Sequence, residues 1–481
     1  MKIVLIAPSI KKSLSGMLPD GIPKSVSKYL GIYPHLGICY IAAVLRKNGI
    51  EVHIIDIDAQ GLSCQQAINE IKRLDPDIIG ITSMTFTFLY ALNLAKEIRK
   101  VINKPIIFGG NHVTIYPEET LQHACVDIVV IGEGENTFLE IVNALRNKNI
   151  AESQGDLGKI HGIAFRENGK ARVTPPREFI EDLDSLPYPS YELLKNMKYY
   201  GCNVRTPYML MLTSRGCSAQ CTFCCKEPWG SRVRYQSPER VVSELEYLVK
   251  ELGIKGIDFF DDTFTLNQER IMEITSLIKE RKLKFEFSFL TRVDCVGKEL
   301  LRELKESGCT ILAFGIETGS PRILDKLNKR VTVEQIKSAF KMAEDAGIRT
   351  VGGFTVGNPS ETKEDVYKTI ELIKSVSIDF VKANILIPYP GSALYDEMLE
   401  SGMLKNDYWR QMTLDGSVES QPPLANNLIS KPELIRLRNR INRIPYLRGN
   451  SNVFKFGKIR LTTDIKRSLS IIKTAFFDRS L

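Results

Sequence analysis

Histidine is scarce in this chain of 481 residues: there are five, and none follows His161. Any metal site in the last two-thirds must therefore be built without imidazole, which disfavours finger-type zinc sites. Long apolar runs are missing as well. No stretch reaches about 18 consecutive apolar residues, so no spanning helix is expected. The opening Met1-Lys2 followed by IVLIAP is too short for the apolar core of a secretion signal and has no cleavage-like site. It reads as a buried first strand, and the cytoplasm is the expected location. Ten cysteines are too few for a disulfide scaffold. Neither G-x-G-x-x-G nor G-x-x-x-x-G-K-[ST] occurs, which argues against dinucleotide and P-loop sites. There is no internal repeat and no low-complexity segment. With 43% hydrophobic and 25% charged residues, the composition is that of a globular protein. At roughly 150 residues per domain it allows two or three domains.

Residues 1–148 alternate apolar runs (KIVLIAP, EVHIIDID, DIIGITSM, KPIIFGG, DIVVIGEG) with helical patterns at 37–48, 63–74, 88–100, 117–123 and 136–147. Near-continuous apolar strands separated by helices predict a doubly wound parallel sheet covered on both faces. Ligands of such sheets bind beyond the carboxyl ends of the strands. Those ends carry Ser83-Met84-Thr85, Gly109-Gly110-Asn111-His112 and Gly132-Glu133-Gly134-Glu135. Residues 149–205 read as a connector with a hairpin at Asn168-Gly169. Residues 206–400 alternate again: YMLMLTS, GIDFFDD, FEFSFLT, ILAFGIE, TVGGFTV and FVKANIL are strands, separated by helices. Six such units fit a partial barrel rather than the full eight, with its polar site at the strand ends. Residues 401–481 form a C-terminal region with basic helical patterns.

Four of the ten cysteines fall within nine positions, in Ser214-Arg215-Gly216-Cys217-Ser218-Ala219-Gln220-Cys221-Thr222-Phe223-Cys224-Cys225. The C-x3-C-x2-C loop directly follows an apolar strand. Three thiolates can hold three irons of a cubane and leave the fourth open, whereas electron-transfer clusters usually take four cysteines. The loop resembles the motif of the radical S-adenosylmethionine (SAM) superfamily. That resemblance implies a [4Fe–4S] cluster on Cys217, Cys221 and Cys224, with Phe223 packed near the adenine of SAM. Phe260-Asp261-Asp262-Thr263-Phe264 stands where the superfamily usually has glycine-glycine-glutamate, so Asp261 or Asp262 is the implied partner of the SAM amino group. Arg292 fits a SAM carboxylate partner and Glu317 a ribose contact. Gly357–Thr362 and Pro388–Ser392 match the loops after the fifth and sixth strands.

Together with that loop, the first domain resembles the cobalamin-binding domain of the class B radical SAM methyltransferases. The matching stretches are Pro34-His35-Leu36-Gly37, Ile81–Thr85, Gly109–His112 and Gly132–Asn136. They imply cobalamin contacts from Leu36, Gly37, Ser83, Thr85, Gly109, Gly110, His112, Gly132, Glu133 and Gly134. The D-x-H-x-x-G motif, whose histidine ligates cobalt, is absent; Asp56–Gly61 echoes it with Asp58 at the histidine position, after the second strand rather than the first. The family commonly binds cobalt without that histidine. His35 and His112 are expected to hydrogen-bond corrin amides.

The implied architecture is α/β: a Rossmann-like cobalamin-binding sheet (1–148), a connector (149–205), a (β/α)6 TIM-type radical SAM core (206–400) and a basic, mostly helical C-terminal region (401–481). The implied activity is reductive cleavage of SAM at the cluster, hydrogen abstraction from the substrate by a 5′-deoxyadenosyl radical, and methylation of an unactivated carbon of a small molecule or lipid. The cofactors are a [4Fe–4S] cluster, SAM and cobalamin, and the electron donor is a flavodoxin or ferredoxin. The alternatives are a radical cyclase or ring-rearranging enzyme without net methylation, and a non-catalytic cobalamin or redox sensor; the open-iron loop argues against the sensor.

The net charge of +8 is localised. Residues 431–481 hold 13 Lys+Arg against 3 Asp+Glu, a net of +10, which leaves −2 for the first 430 residues. On a helix, Ile465, Leu469, Ile472 and Phe476 would share one face. The two leading readings are a helix packed on the barrel with a solvated basic face and peripheral contact with an anionic membrane surface. Nucleic acid is disfavoured, because few aromatics interleave the charges.

Overall fold

The computed structural model describes residues 1–17, 31–201, 204–227, 229–418 and 421–447. The basic segment 448–481, which contains the amphipathic stretch 465–477, lies outside the described residues. Among the described residues no helix is long and apolar enough to cross a membrane.

The first unit is built on β1 (Lys2–Ala7), β2 (Glu51–Asp56), β3 (Ile78–Thr82), β4 (Ile106–Gly109) and β5 (Ile128–Val130), all parallel in the order β2-β1-β3-β4-β5. The pleat explains why β1 is apolar throughout. Ile3, Leu5 and Ala7 enter one core, while Val4 and Ile6 enter a second core on the opposite face. The sheet does not stop at residue 148. β6 (Ile163–Glu167) and β7 (Lys170–Val173) add an antiparallel hairpin at its edge. The hairpin turns through Asn168 and Gly169 at φ 51° and 80°, the positive values that a two-residue turn of this kind needs. The hairpin expected inside the connector thus completes a seven-stranded sheet.

The second unit holds β8 (Tyr208–Met211), the antiparallel ribbon β9 (Ser214–Arg215) with β10 (Arg234–Tyr235), and then β11 (Gly256–Phe259), β12 (Glu286–Thr291), β13 (Cys309–Glu317), β14 (Arg349–Val356) and β15 (Phe380–Ile385). β8 and β11 to β15 form a six-stranded parallel sheet in sequential order, the partial barrel expected from the six apolar runs. Ile257, Phe259, Phe287 and Phe289 are buried on one face, toward the helices. The other face is open at Leu290, Ala313, Gly315 and Gly353.

Two C-terminal helices close the assembly. Lys431–Leu447 covers the free edge of β15, where the Asn442 carboxamide accepts from the Ala383 N–H at 2.7 Å and donates to its carbonyl at 3.1 Å. Tyr408–Asp415 docks on the first unit. Tyr116 Oη donates to Asp407 at 2.9 Å, and Arg410 pairs with Glu119 at 2.6 Å.

Candidate functional site

The cysteine loop leaves β9 through Gly216. This glycine has φ 93°, and a Cβ there would meet Arg232 O at 2.4 Å, so no side chain fits. Cys217 Sγ lies 3.7 Å from Thr263 Oγ1, and the Cys221 and Cys224 thiols neighbour each other. The neighbouring Cys224 thiol holds the Cys221 thiol below its ordinary value against the opposing effect of burial, helped by the charges of Lys329 and Arg292. Arg292 Nη1 is 3.8 Å from Cys221 Sγ. Lys329 Nζ sits 5.8 Å over the Phe223 ring and 3.3 Å from Glu317 Oε1. Cys225 belongs to a different contact: its backbone bridges to Ser392, and its thiol packs against Gly391. Among the described residues no three His, Cys, Asp or Glu side chains close on a point suited to one ion. A cubane asks for a different arrangement, since each thiolate binds its own iron. Three thiols on one loop, beside two cations, are a donor set of that kind.

Of the residues expected around SAM, four ring this loop in two different ways. Asp261 is buried and already engaged: it accepts from Thr213 N–H at 3.1 Å, from Thr213 Oγ1 at 2.9 Å and from Ser214 Oγ. Burial pushes its carboxyl up to about 6 against those bonds. It braces the strand that feeds the cysteine loop. Asp262 is exposed at the barrel mouth and makes no side-chain hydrogen bond among the described residues. Arg292 grips Asp294 through two bonds of 2.9 Å and donates to Lys329 O at 2.8 Å. Glu317 adopts φ 73°, at the bulged end of β13. Lys329 is the residue that sequence reading missed. It lies beyond Glu317 with no motif to mark it, and only the fold brings its amine beside Glu317 and Phe223.

The rim of the first unit is open ground. A Cβ on Gly37 or Gly132 would meet nothing within 4 Å, and one on Gly109 only Val130 at 3.8 Å. Gly110, at φ 103°, brings its backbone so close to Ser83 that a Cβ would lie 2.5 Å from the Ser83 carbonyl. Ser83 Oγ is buried with no hydrogen-bond partner, an anomaly that a ligand amide would remove. A glycine-lined ledge beside an orphan hydroxyl fits a large, amide-bearing group such as cobalamin. Leu36 is buried at the start of helix Leu36–Lys47. Gly134 is tighter, with Ile41 Cδ1 3.0 Å from where its Cβ would be.

Three residues expected on this rim, His112, Thr85 and Glu133, are engaged inside the protein. His112 is fully buried, with Nε2 2.8 Å from Thr413 Oγ1 and Nδ1 3.3 Å from Thr85 Oγ1. Burial lowers its pKa to about 3 and keeps it neutral. It pins helix Tyr408–Asp415 to the first sheet, and Thr85 is its partner. Glu133 anchors a buried ion network. Arg215 donates to Glu133 at 2.7 Å and to Glu135 at 2.6 Å, Arg234 donates to both oxygens of Glu133 at 2.9 Å, and the Ile180 N–H adds a bond of 2.7 Å. All four side chains are at most 6% exposed. Arg215 immediately precedes Gly216-Cys217, so this network joins the rim loop of the first unit to the cysteine loop of the second. Its acidic half was visible at a strand end; its basic half carried no sequence signal.

Comparison with known proteins follows the same division. Residues 24–142 match the B12 binding domain model and residues 211–373 match the radical SAM superfamily model. The chain is 39% identical over 436 residues, covering 90% of both chains, to an uncharacterized methyltransferase of Pyrococcus horikoshii. It is 29% identical over 375 residues to the anaerobic magnesium-protoporphyrin IX monomethyl ester cyclase of Rubrivivax gelatinosus, covering 76% of this chain and 67% of that one. Its fold is similar to that of TsrM from Kitasatospora setae, a radical SAM methyltransferase solved with cobalamin and a [4Fe–4S] cluster bound. The TM-score is 0.65 at 16% identity, over 83% of this chain and 75% of that chain.

Proposed function

The chain belongs to the cobalamin-dependent radical SAM methyltransferase family, and from that premise we propose that it methylates an unactivated carbon of a small-molecule or lipid substrate. The observation that carries the reading is the Glu133–Arg215 contact, which sets the glycine-lined rim of the first unit against the cysteine loop of the second. When bound, the family's cofactors supply reductive SAM cleavage and a cobalt-held methyl group. The work of the protein is to hold and orient them and to exclude water.

In this reading Cys217, Cys221 and Cys224 hold the cluster, and Phe223 packs on adenine. Asp262, with its free carboxylate, takes the SAM amino group. Asp261 keeps the loop in place from behind. Arg292 and Glu317 take the carboxylate and ribose ends of SAM, and Lys329 holds Glu317 in position. Gly37, Gly109, Gly110 and Gly132, with Ser83, would form the cobalamin ledge; His112, committed to Thr413 and Thr85, would give cobalt no ligand. The electron donor is a carrier such as flavodoxin or ferredoxin. The domain limits that accompany the proposal are 1–148, 149–205, 206–400 and 401–481, with the 163–173 hairpin attached to the first sheet.

Anaerobic reconstitution tests the cluster assignment. About four irons per chain are expected. Ala at Cys217, Cys221 or Cys224 should abolish the cluster absorbance and 5′-deoxyadenosine formation, while Cys225→Ala retains both. Cluster loss in Cys225→Ala with retention in Cys224→Ala refutes it. The cyclase relative favours a second reading, ring closure without methylation. Product mass separates the two, because only methylation adds one CH₂.

A further inference from the structure

The inner face of the barrel carries a cation that the site described so far leaves unused. Lys382 is the third residue of β15, paired in register with Gly353 of β14, which pairs with Gly315 of β13. Side chains at paired positions of a parallel sheet point to the same face. That face can be identified from both sides. A Cβ on Gly315 would lie 3.4 Å from both Glu317 Oε1 and Lys329 Nζ, the pair beside the cysteine loop. A Cβ on the adjacent Gly352 would instead strike Ile378 at 2.5 Å, in the core under the helices. Lys382 therefore looks inward, at the level of the cysteine-loop cations.

Three cations share this level, and two of them are paired: Arg292 with Asp294 and Lys329 with Glu317. Lys382 is exposed and has no ion pair or hydrogen bond among the described residues. Asn384, two residues further up the same face, is exposed too. A lysine on an edge strand can serve only to keep that edge from pairing. Here the edge is already covered, since Asn442 satisfies both backbone groups of Ala383. Next to Lys382, Gly353 leaves the sheet bare, since a Cβ there would meet only backbone, while the Glu317–Lys329 pair lies over Gly315 beyond it. Mid-strand glycines weaken a sheet and mark a bulge or the close approach of a ligand or another backbone; Gly315 stands at the bulge of β13, which leaves Gly353 as the position open to a ligand. The far wall carries Leu290, 44% exposed on β12.

We propose that Lys382, assisted by Asn384, binds an anionic group of the substrate, a carboxylate or a phosphate, with the body of the substrate lying over Gly353 and on toward the Glu317–Lys329 pair. The inference rests on the methyltransferase reading and narrows its substrate to an anion.

Lysine labelling by reductive methylation, read by mass spectrometry on the full-length cofactor-loaded protein, tests the site without a known substrate. The probes are inorganic phosphate and acetate, each against chloride at matched ionic strength. Labelling of Lys382 should slow in phosphate, in acetate or in both, while the exposed Lys100 is unaffected. Protection by phosphate alone assigns a phosphate ester, and protection by acetate alone assigns a carboxylate. Equal labelling of Lys382 in all three salts overturns the proposal. A second arm measures methyl groups passed from labelled SAM to an extract of the source cells, per 5′-deoxyadenosine released. Lys382→Met should lower that ratio about tenfold or more, the effect of losing one charge-assisted hydrogen bond, and Lys382→Arg should restore most of it. An unchanged ratio in Lys382→Met overturns the proposal as well. Should the wild-type protein release no 5′-deoxyadenosine, the methyltransferase reading fails, and anion protection still decides Lys382.

Discussion

Replacing Glu133 by Gln tests whether the two units are locked by the buried ion network. Burial alone would raise the Glu133 carboxyl, but the hydrogen bond from Arg234 and the charge of Arg215 outweigh it and hold the group below its ordinary value. Glutamine keeps the shape and removes the charge, leaving Arg215, 5% exposed, with Glu135 alone and Arg234, 2% exposed, with no carboxylate in contact among the described residues. Their cation–π contacts, Arg215 over Tyr40 and Trp229 and Arg234 over Phe179, place them against aromatic faces where water cannot compensate. Removing one partner of a buried pair costs about 3–5 kcal/mol. At about 1.4 kcal/mol per factor of ten, that is two to three and a half orders of magnitude in the local opening equilibrium. The structure supplies its own reporter, because the Ile180 N–H donates directly to Glu133. Hydrogen exchange resolved at Ile180 and across 213–217 should accelerate by that factor in Glu133→Gln, up to the limit set by global unfolding. Arg215→Met should then cost less in the Glu133→Gln background than in the wild-type protein, as expected of residues that share one network. Wild-type exchange rates at both places in Glu133→Gln would refute the idea that this network closes the contact between the units.

Two further outcomes are expected. Glu244 is fully buried and accepts from Tyr191 Oη at 2.7 Å; burial raises its pKa from 4.5 to about 7. The folded state then holds this proton to higher pH than the unfolded chain does, so the contribution of this group to stability is complete below pH 4.5 and is lost as pH rises to about 7. The loss is about 3 kcal/mol at 1.36 kcal/mol per pKa unit. Denaturant midpoints measured across that range should show this falling limb in the wild-type protein and a flatter one in Glu244→Gln. Thr413→Val keeps the side-chain volume but removes the hydroxyl that meets His112 Nε2, leaving a buried ring nitrogen unpartnered. A loss of about 1–3 kcal/mol in denaturant unfolding is expected, and an unchanged midpoint would mean that water replaces the hydroxyl.

The legible parts of this protein are those whose physics is local. The alternation of apolar runs and helical patterns located all five parallel strands of the first sheet and all six of the barrel, because a strand buried on both faces is apolar throughout and a barrel strand is apolar at least on the face under the helices. The Asn168-Gly169 turn was readable for the same reason: two successive residues at positive φ demand such a pair. Where that hairpin would pair was not readable, since strand order depends on contacts between segments far apart in sequence. The candidate site divides along the same line. A three-cysteine loop and glycines at strand ends advertise themselves by spacing and residue type. The partner of a polar side chain does not. Glu133 and His112 stand at strand ends, where ligand contacts are expected, yet Glu133 is claimed by Arg215, 82 residues away, and His112 by Thr413, 301 residues away. Neither partner belongs to a recognisable pattern, because one charged or hydroxyl group at a buried meeting point suffices and leaves no periodicity. A polar residue at a strand end can therefore serve the ligand or serve the closure of the units that surround it. Only the geometry of its partners distinguishes the two, and here it divides the rim: Gly37, Gly109 and Gly132 face open ground, while Glu133 and His112 hold the walls around it.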